Sequence, residues 1–196
     1  MHHILGLVGS PRPGGNTELL VSRVLESAAE EGAETRLFTV AGKEIAPCQA
    51  CGACVRDRSG RCVQHDAMEE LYPLARWAEA IVFGTPVYLN SMSAQLKMVL
   101  DRFRPLWWQE NALSGKVAAV VTVGAGRWGG QELAADHVFS CAFNHGMVQA
   151  ASRPVFGETW RLCAVGRDPG DVVNDTRAIE EADGLGRRLA QLAIKS

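Results

Sequence analysis

The feature that most restricts the fold is a series of short, continuously apolar, β-branched runs separated by helical patterns. The runs fall at Ile4–Val8, Arg36–Val40, Ala80–Phe83 and Val117–Val123, with a weaker one around Met147–Phe156. Several are apolar throughout rather than alternating, which suits strands covered on both faces of a parallel sheet. Between them, Leu20, Val24 and Ala28 recur every four residues within Thr17–Glu31. Ala182, Leu185, Leu189 and Leu192 line one face of the last segment, and shorter helical patterns fit Ala67–Trp77, Ser93–Phe103 and Gln131–Asn144. This alternation predicts an α/β fold: a doubly wound parallel sheet of about five strands.

The chain has 196 residues and no internal repeat, low-complexity tract or Pro/Ser-rich linker, so residues 1–196 are expected to form a single domain. Its 20 Lys+Arg against 22 Asp+Glu leave a formal charge of −2, too even a balance for a protein dedicated to nucleic acid. Every apolar run stops well short of the roughly 18 residues that span a bilayer. The start, Met1-His2-His3-Ile4, has neither a basic region nor a cleavage pattern, which predicts a cytoplasmic location.

Irregular stretches lie at Ile45–Gln64, Trp107–Gly115, Gly124–Gly130 and Gly157–Val173. Ligands of such sheets sit beyond the carboxyl ends of the strands, where the loops after strands one, three and four converge. The first of these reads Gly9-Ser10-Pro11-Arg12-Pro13-Gly14-Gly15-Asn16-Thr17 and runs straight into a helix. Glycines such as Gly15 admit close backbone approach, and free N–H groups at a helix start favour an anion. Ser10, Asn16 and Thr17 add neutral donors, and Arg12 can fork two hydrogen bonds to phosphate oxygens. The P-loop lysine is missing, which favours one terminal phosphate over a nucleoside triphosphate; an ordinary, well-capped strand-to-helix turn is the alternative.

This loop resembles the FMN-phosphate loop of the flavodoxin-like NAD(P)H-dependent FMN reductase family. The segment Pro86-Val87-Tyr88-Leu89-Asn90-Ser91-Met92, followed by a helix carrying Lys97, resembles that family's second ligand loop. Tyr88 offers a flat face for an aromatic ring, and backbone donors over Leu89–Met92 suit the edge of a flavin. The third loop holds Gly124, Gly126, Arg127, Trp128, Gly129 and Gly130 and matches G-x-G-x-x-G. Phe143–Met147 lacks the acidic residue that a dinucleotide fingerprint needs about 20 positions on. The resemblance makes it the glycine-rich border of the isoalloxazine, with Arg127 and Trp128 contacting either the flavin or its electron donor.

Four of the six cysteines, Cys48, Cys51, Cys54 and Cys62, fall within fifteen positions. C-x2-C-x2-C with a fourth thiolate farther on suits a [4Fe–4S] cluster; zinc and a metal-free loop are the alternatives. Small Ala50, Gly52 and Ala53 let the loop curl, and Arg56, Arg58 and Arg61 are expected to offset cluster charge. The stretch from Ile45 through Asp66 to Met68 is similar to the iron–sulfur flavoprotein branch of the same family. Cys141 and Cys163 are expected to be structural thiols. His137 and His145 are expected to pack or face solvent, and Arg187-Arg188 to face solvent. Trp107, Trp108 and Trp160 are expected at a subunit contact.

The resemblance, from about Ile4 to Ala193, implies a flavodoxin-like five-stranded sheet ordered 2-1-3-4-5, with a cysteine-rich insertion at about 45–64 after strand two. It implies an FMN-dependent electron-transfer oxidoreductase with one [4Fe–4S] cluster. It also implies a homodimer or homotetramer that brings flavin and cluster together, a small-molecule or protein electron donor and acceptor, and NAD(P)H as a candidate donor. Chemistry is carried by the flavin, with no catalytic side chain required. Two rivals are a cluster-free NAD(P)H-dependent FMN or quinone reductase and a non-enzymatic redox or metal sensor.

Overall fold

The structure, a computed structural model, describes residues 2–151 and 161–192. Strands β1 (His3–Val8), β2 (Glu34–Thr39), β3 (Ala80–Pro86) and β4 (Val117–Gly124) form a parallel sheet ordered β2-β1-β3-β4. The register places Leu5 between Arg36 and Ile81, and Phe83 beside Val120. The fifth position is split. β5 (Val148–Gln149) pairs with the start of β4 and β6 (Leu162–Val165) with its end, all parallel. The expected single strand Met147–Phe156 is thus only two residues long in its described part, and residues 152–156 lie outside the described residues. Leu162–Val165, expected to be irregular, is a strand: buried Leu162 and Ala164 alternate with half-exposed neighbours, in a run too short to stand out between Arg161 and Arg167.

Because the central strands are covered on both sides, alternate residues feed two cores. One face carries Leu5, Leu7, Ile81, Phe83 and Val120 under α3 (Met68–Trp77), α4 (Ala94–Arg102) and α6 (Gln131–Asn144). The other carries Ile4, Val82, Ala119 and Val121 under α1 (Asn16–Glu30) and α7 (Thr176–Leu192). Helices α1 and α7 approach so closely that a Cβ at Gly186 would lie 2.4 Å from the Val24 carbonyl oxygen. Two short helices, α2 (Ala53–Asp57) and α5 (Arg104–Trp108), lie in stretches expected to be irregular or at their border. All strands run parallel, so the loops after β1, β3, β4 and β6 gather at one edge of the sheet.

Among the described residues, no helix is long and apolar enough to cross a membrane.

Candidate functional site

At that edge a cleft of about 140 Å³ is lined by Ser10, Arg12, Gly15, Asn16 and Thr17 from the first loop, and by Pro86, Val87 and Tyr88 from the second. Val123, Ala125, Gly166 and Arg167 complete it. No side chain caps α1 at Gly15, so its first N–H groups are left to the cleft, as an anion requires. Arg12 is exposed and makes no ion pair among the described residues, whereas Ser10 and Thr17 are buried. Ser10 is partly spent within the loop, its hydroxyl accepting from the Arg12 N–H at 3.2 Å. Asn16 faces elsewhere than expected. Its amide donates to the Asp168 carbonyl at 2.8 Å and accepts from the Val172 N–H at 3.3 Å, tying α1 to the loop after β6. Uncapped amides, a free guanidinium and a half-exposed Tyr88 fit a phosphorylated aromatic cofactor such as FMN.

The second loop is a tight reversal. Tyr88 and Ser91 exchange backbone hydrogen bonds at 3.0 Å, and between them Leu89 and Asn90 hold φ of 47° and 61°, left-handed values rare for residues with side chains. Leu89 is fully exposed and Met92 is buried at 8% exposure. Buried Ser93 anchors the loop to the first one, donating to the Gly9 carbonyl at 2.5 Å and capping α4 through the Leu96 N–H. The third loop packs on this turn: a Cβ at Gly130 would lie 2.4 Å from Asn90 Oδ1. Buried Gln131 holds that loop, accepting from the Gly129 N–H and donating to the Gly126 carbonyl, each at 2.7 Å. Gly124 lies against the same side chain, while Gly126 is open. Arg127 pairs with the nearly buried Asp175 at 3.1 Å, and Trp128 is 77% exposed.

Cys48, Cys51, Cys54 and Cys62 line one cavity together with Gly52, Asp101, Arg102, Arg104 and Pro105. All four thiols are free, two of them exposed and two half-buried. The loop curls through left-handed Ala50 (φ 52°) and Gly52 (φ 70°), and Ala53 opens α2. Arg56 donates to the Cys51 carbonyl at 3.4 Å, Arg58 lies 5.7 Å from the Trp108 ring centroid, and Arg61 lines a neighbouring pocket. It is Arg102 and Arg104 that join the wall. Burial pushes the Cys54 thiol up, against the opposing pull of Arg104. Among the described residues no three His, Cys, Asp or Glu side chains are grouped closely enough for one metal ion. A four-iron cluster instead needs thiolates spread around a cuboid. Buried Arg102 keeps its Nε without a partner in the same wall, a donor suited to a sulfur acceptor.

The family described as NADPH-dependent FMN reductase matches residues 2–161. The chain belongs to that family. It is accordingly an FMN-dependent oxidoreductase. It is similar to an iron-sulfur flavoprotein of Methanocaldococcus jannaschii, with 39% identity over 192 residues and 96% of each chain covered. A second iron-sulfur flavoprotein, from Methanosarcina thermophila, is 41% identical over 158 residues, which is 80% of this chain and 82% of the relative. Among solved structures, a flavodoxin-like, WrbA-like protein of Agrobacterium tumefaciens superposes with a TM-score of 0.69 at 20% identity, covering 100% of this chain and 99% of the other. That likeness bears on the fold alone.

In this FMN reductase family member, two features escape a reading of sequence motifs. Gly166 and Arg167 enter the cleft from a loop after the short β6, which carries no phosphate-binding pattern. His137 reaches from α6 to Ser91, its Nδ1 lying 3.0 Å from the hydroxyl and linking α6 to the second loop. His145 is buried beside Phe103 and Trp107, and burial holds its pKa below the usual imidazole range. Cys163 is a half-buried thiol 3.5 Å from the Thr122 hydroxyl, its pKa pushed up to about 11 chiefly by burial. Trp107 is 44% exposed and its ring lies 6.3 Å from that of Trp108, against the cysteine loop. Trp160 lies outside the described residues.

Proposed function

We propose that this chain is an electron-transfer member of the family, with FMN in the cleft and a [4Fe–4S] cluster on Cys48, Cys51, Cys54 and Cys62. The observation that carries the reading is that thiols from the two arms of one loop line a single cavity walled by two arginines. The names of the iron-sulfur flavoprotein relatives support it. Arg12, Ser10, Gly15, Thr17 and the first amides of α1 hold the phosphate. Asn16 acts at one remove, by fixing the loop that brings Gly166 and Arg167 into the cleft. Pro86, Val87, Tyr88, Leu89, Asn90, Ser91 and Met92 frame one side of the ring. Gly124, Gly126, Gly129 and Gly130 let backbone border the other, and Arg127, braced by Asp175, limits its open edge.

When bound, FMN takes a hydride or an electron pair and releases electrons singly, and the cluster passes one at a time. The chain's own task is to hold both groups and set their potentials. Electrons come from NAD(P)H or a reduced protein and leave to a small molecule or second protein. Exposed Leu89, Trp107 and Phe143 supply apolar contact for a homodimer or homotetramer, which sedimentation equilibrium will report.

The test is an absorption spectrum of protein purified without oxygen, with iron and acid-labile sulfide measured on the same sample. Broad absorbance near ~400 nm over flavin bands with about four irons per chain is the expected result. A flavin spectrum with no iron overturns the cluster and leaves a plain NAD(P)H-dependent FMN or quinone reductase. No flavin at all overturns the assignment of the cleft.

A further inference from the structure

One guanidinium ties together everything around the cysteine loop. Arg102, at the end of α4, is 1% exposed, and its Nη1 donates at 2.7 Å both to the Ala46 carbonyl and to Asp66 Oδ2. Its Nη2 donates to Asp66 Oδ1 at 3.1 Å. The same carboxylate accepts from the Ala46 N–H and from the Met68 N–H, each at 3.1 Å. Ala46 and Asp66 flank the segment that holds all four clustered cysteines, so the fork closes the base of that loop and fixes it to α4 and to the start of α3. On the far side, the Arg102 carbonyl accepts from the buried Tyr72 hydroxyl at 2.8 Å.

These bonds use both Nη groups and leave Nε. That atom is buried and unpartnered, although Arg102 forms part of the cavity wall with the four cysteines. A buried N–H without an acceptor is costly, and an anionic sulfur in the cavity would satisfy it. Hydrogen bonds and positive charge near cluster sulfurs favour the reduced, more negative state and raise the reduction potential.

We propose that Arg102 is a positioning and tuning residue for the cluster: it pins the two ends of the cysteine loop through Ala46 and Asp66, and it offers its Nε N–H and its charge to the bound sulfur. The inference rests on the cluster reading above and assigns Arg102 a role that the cysteine pattern does not contain. Asp66 is its counterweight, neutralising from outside the cavity the charge that Arg102 presents inside it.

The opposed charges give a test with two signs. Protein is purified without oxygen as wild type, Arg102→Gln, Arg102→Lys and Asp66→Asn, and FMN content checks the fold of each. Iron is assayed, and the cluster potential is measured by redox titration followed by electron paramagnetic resonance. Arg102→Gln is expected to retain cluster about 10–100-fold less well than wild type, with a potential shifted to more negative values in the fraction that remains. Asp66→Asn loosens the same loop but leaves the cation uncompensated, so its potential shifts to more positive values. Arg102→Lys recovers iron and part of the potential.

A purely structural knot would lower iron in every variant without opposite shifts, and that result overturns the tuning role. Unchanged iron and potential in Arg102→Gln overturns the whole inference. The two readings fail separately. Wild type without iron removes the cluster and this proposal with it, whereas iron in wild type with silent variants removes only the role of Arg102.

Discussion

Gly130 and Gly170 form a matched pair for testing how the glycine loop is built. Both hold φ of 92°, with ψ of 14° and −14°, so alanine at either meets the same left-handed backbone penalty of roughly 1–2 kcal/mol. Their surroundings differ. A Cβ at Gly170 meets nothing within 4 Å, whereas at Gly130 it lies 2.4 Å from Asn90 Oδ1 and 2.9 Å from Asn90 Cα. The side-chain oxygen can swing away, but the Cα belongs to a turn already held left-handed at Leu89 and Asn90. Displacing it adds an overpacking cost of about 1–3 kcal/mol. Gly170→Ala should therefore lose ~1–2 kcal/mol in urea denaturation of the apoprotein, and Gly130→Ala ~2–5 kcal/mol. The excess strain falls on the turn assigned to the ring, so only Gly130→Ala should weaken FMN binding measured by quenching of flavin fluorescence. Equal stability losses and equal FMN affinity in the two variants would refute the claim that the second and third loops brace each other.

The remaining predictions separate the two cofactor sites from the scaffold. Arg12→Ala removes a charge-assisted partner of the phosphate, which costs about 1.5–3 kcal/mol or roughly 10–150-fold in FMN affinity and leaves iron unchanged. Cys51→Ala should lose iron and keep FMN; joint loss of both cofactors in either variant would mean one merged site or a folding defect. Burial works to raise the Asp66 pKa, but its bonds to Arg102 and to the Ala46 and Met68 N–H groups carry it below the ordinary carboxylate value. Its stabilisation is thus present above the unfolded carboxylate pKa and drains away as pH falls through the folded one, so Asp66→Asn should flatten the acid limb of the stability profile. Lys116 donates to the carbonyls of Ala75, Arg76 and Ala78 at 3.0, 2.6 and 2.5 Å, closing the end of α3. Lys116→Met should cost about 1.5–3 kcal/mol in urea denaturation, and a loss under ~0.5 kcal/mol would mean that water already serves those carbonyls.

What could be read from sequence here follows from the range of each interaction. β1, β3 and β4 are apolar on both faces, and that one-dimensional signal survives without any knowledge of neighbours. The first loop's part in a cleft is legible for the same reason: a glycine, an arginine and a helix start are all local, and they do line one cleft. The split fifth strand is not, since Leu162–Val165 is recognisable only from its pairing with Val121–Gly124, some forty residues away. Charge partners are a mixed case. Arg56, Arg58 and Arg61 are neighbours of the cysteines in sequence, and they meet the Cys51 carbonyl, the Trp108 ring and a pocket shared with Cys62. Arg102 lies forty residues beyond Cys62 and reads as one more charge on an amphipathic helix. Only the fold brings it to the loop, where a buried cation with three bonds made and its Nε unpartnered forms part of the cavity wall. In this chain the four thiols are close in sequence, whereas groups that tune a cluster are free to come from any element that reaches the cavity. Asp66 bridges the two cases, near enough to sit in the cysteine pattern and to accept from the Ala46 and Met68 N–H groups, yet paired with an arginine that only the fold brings to it.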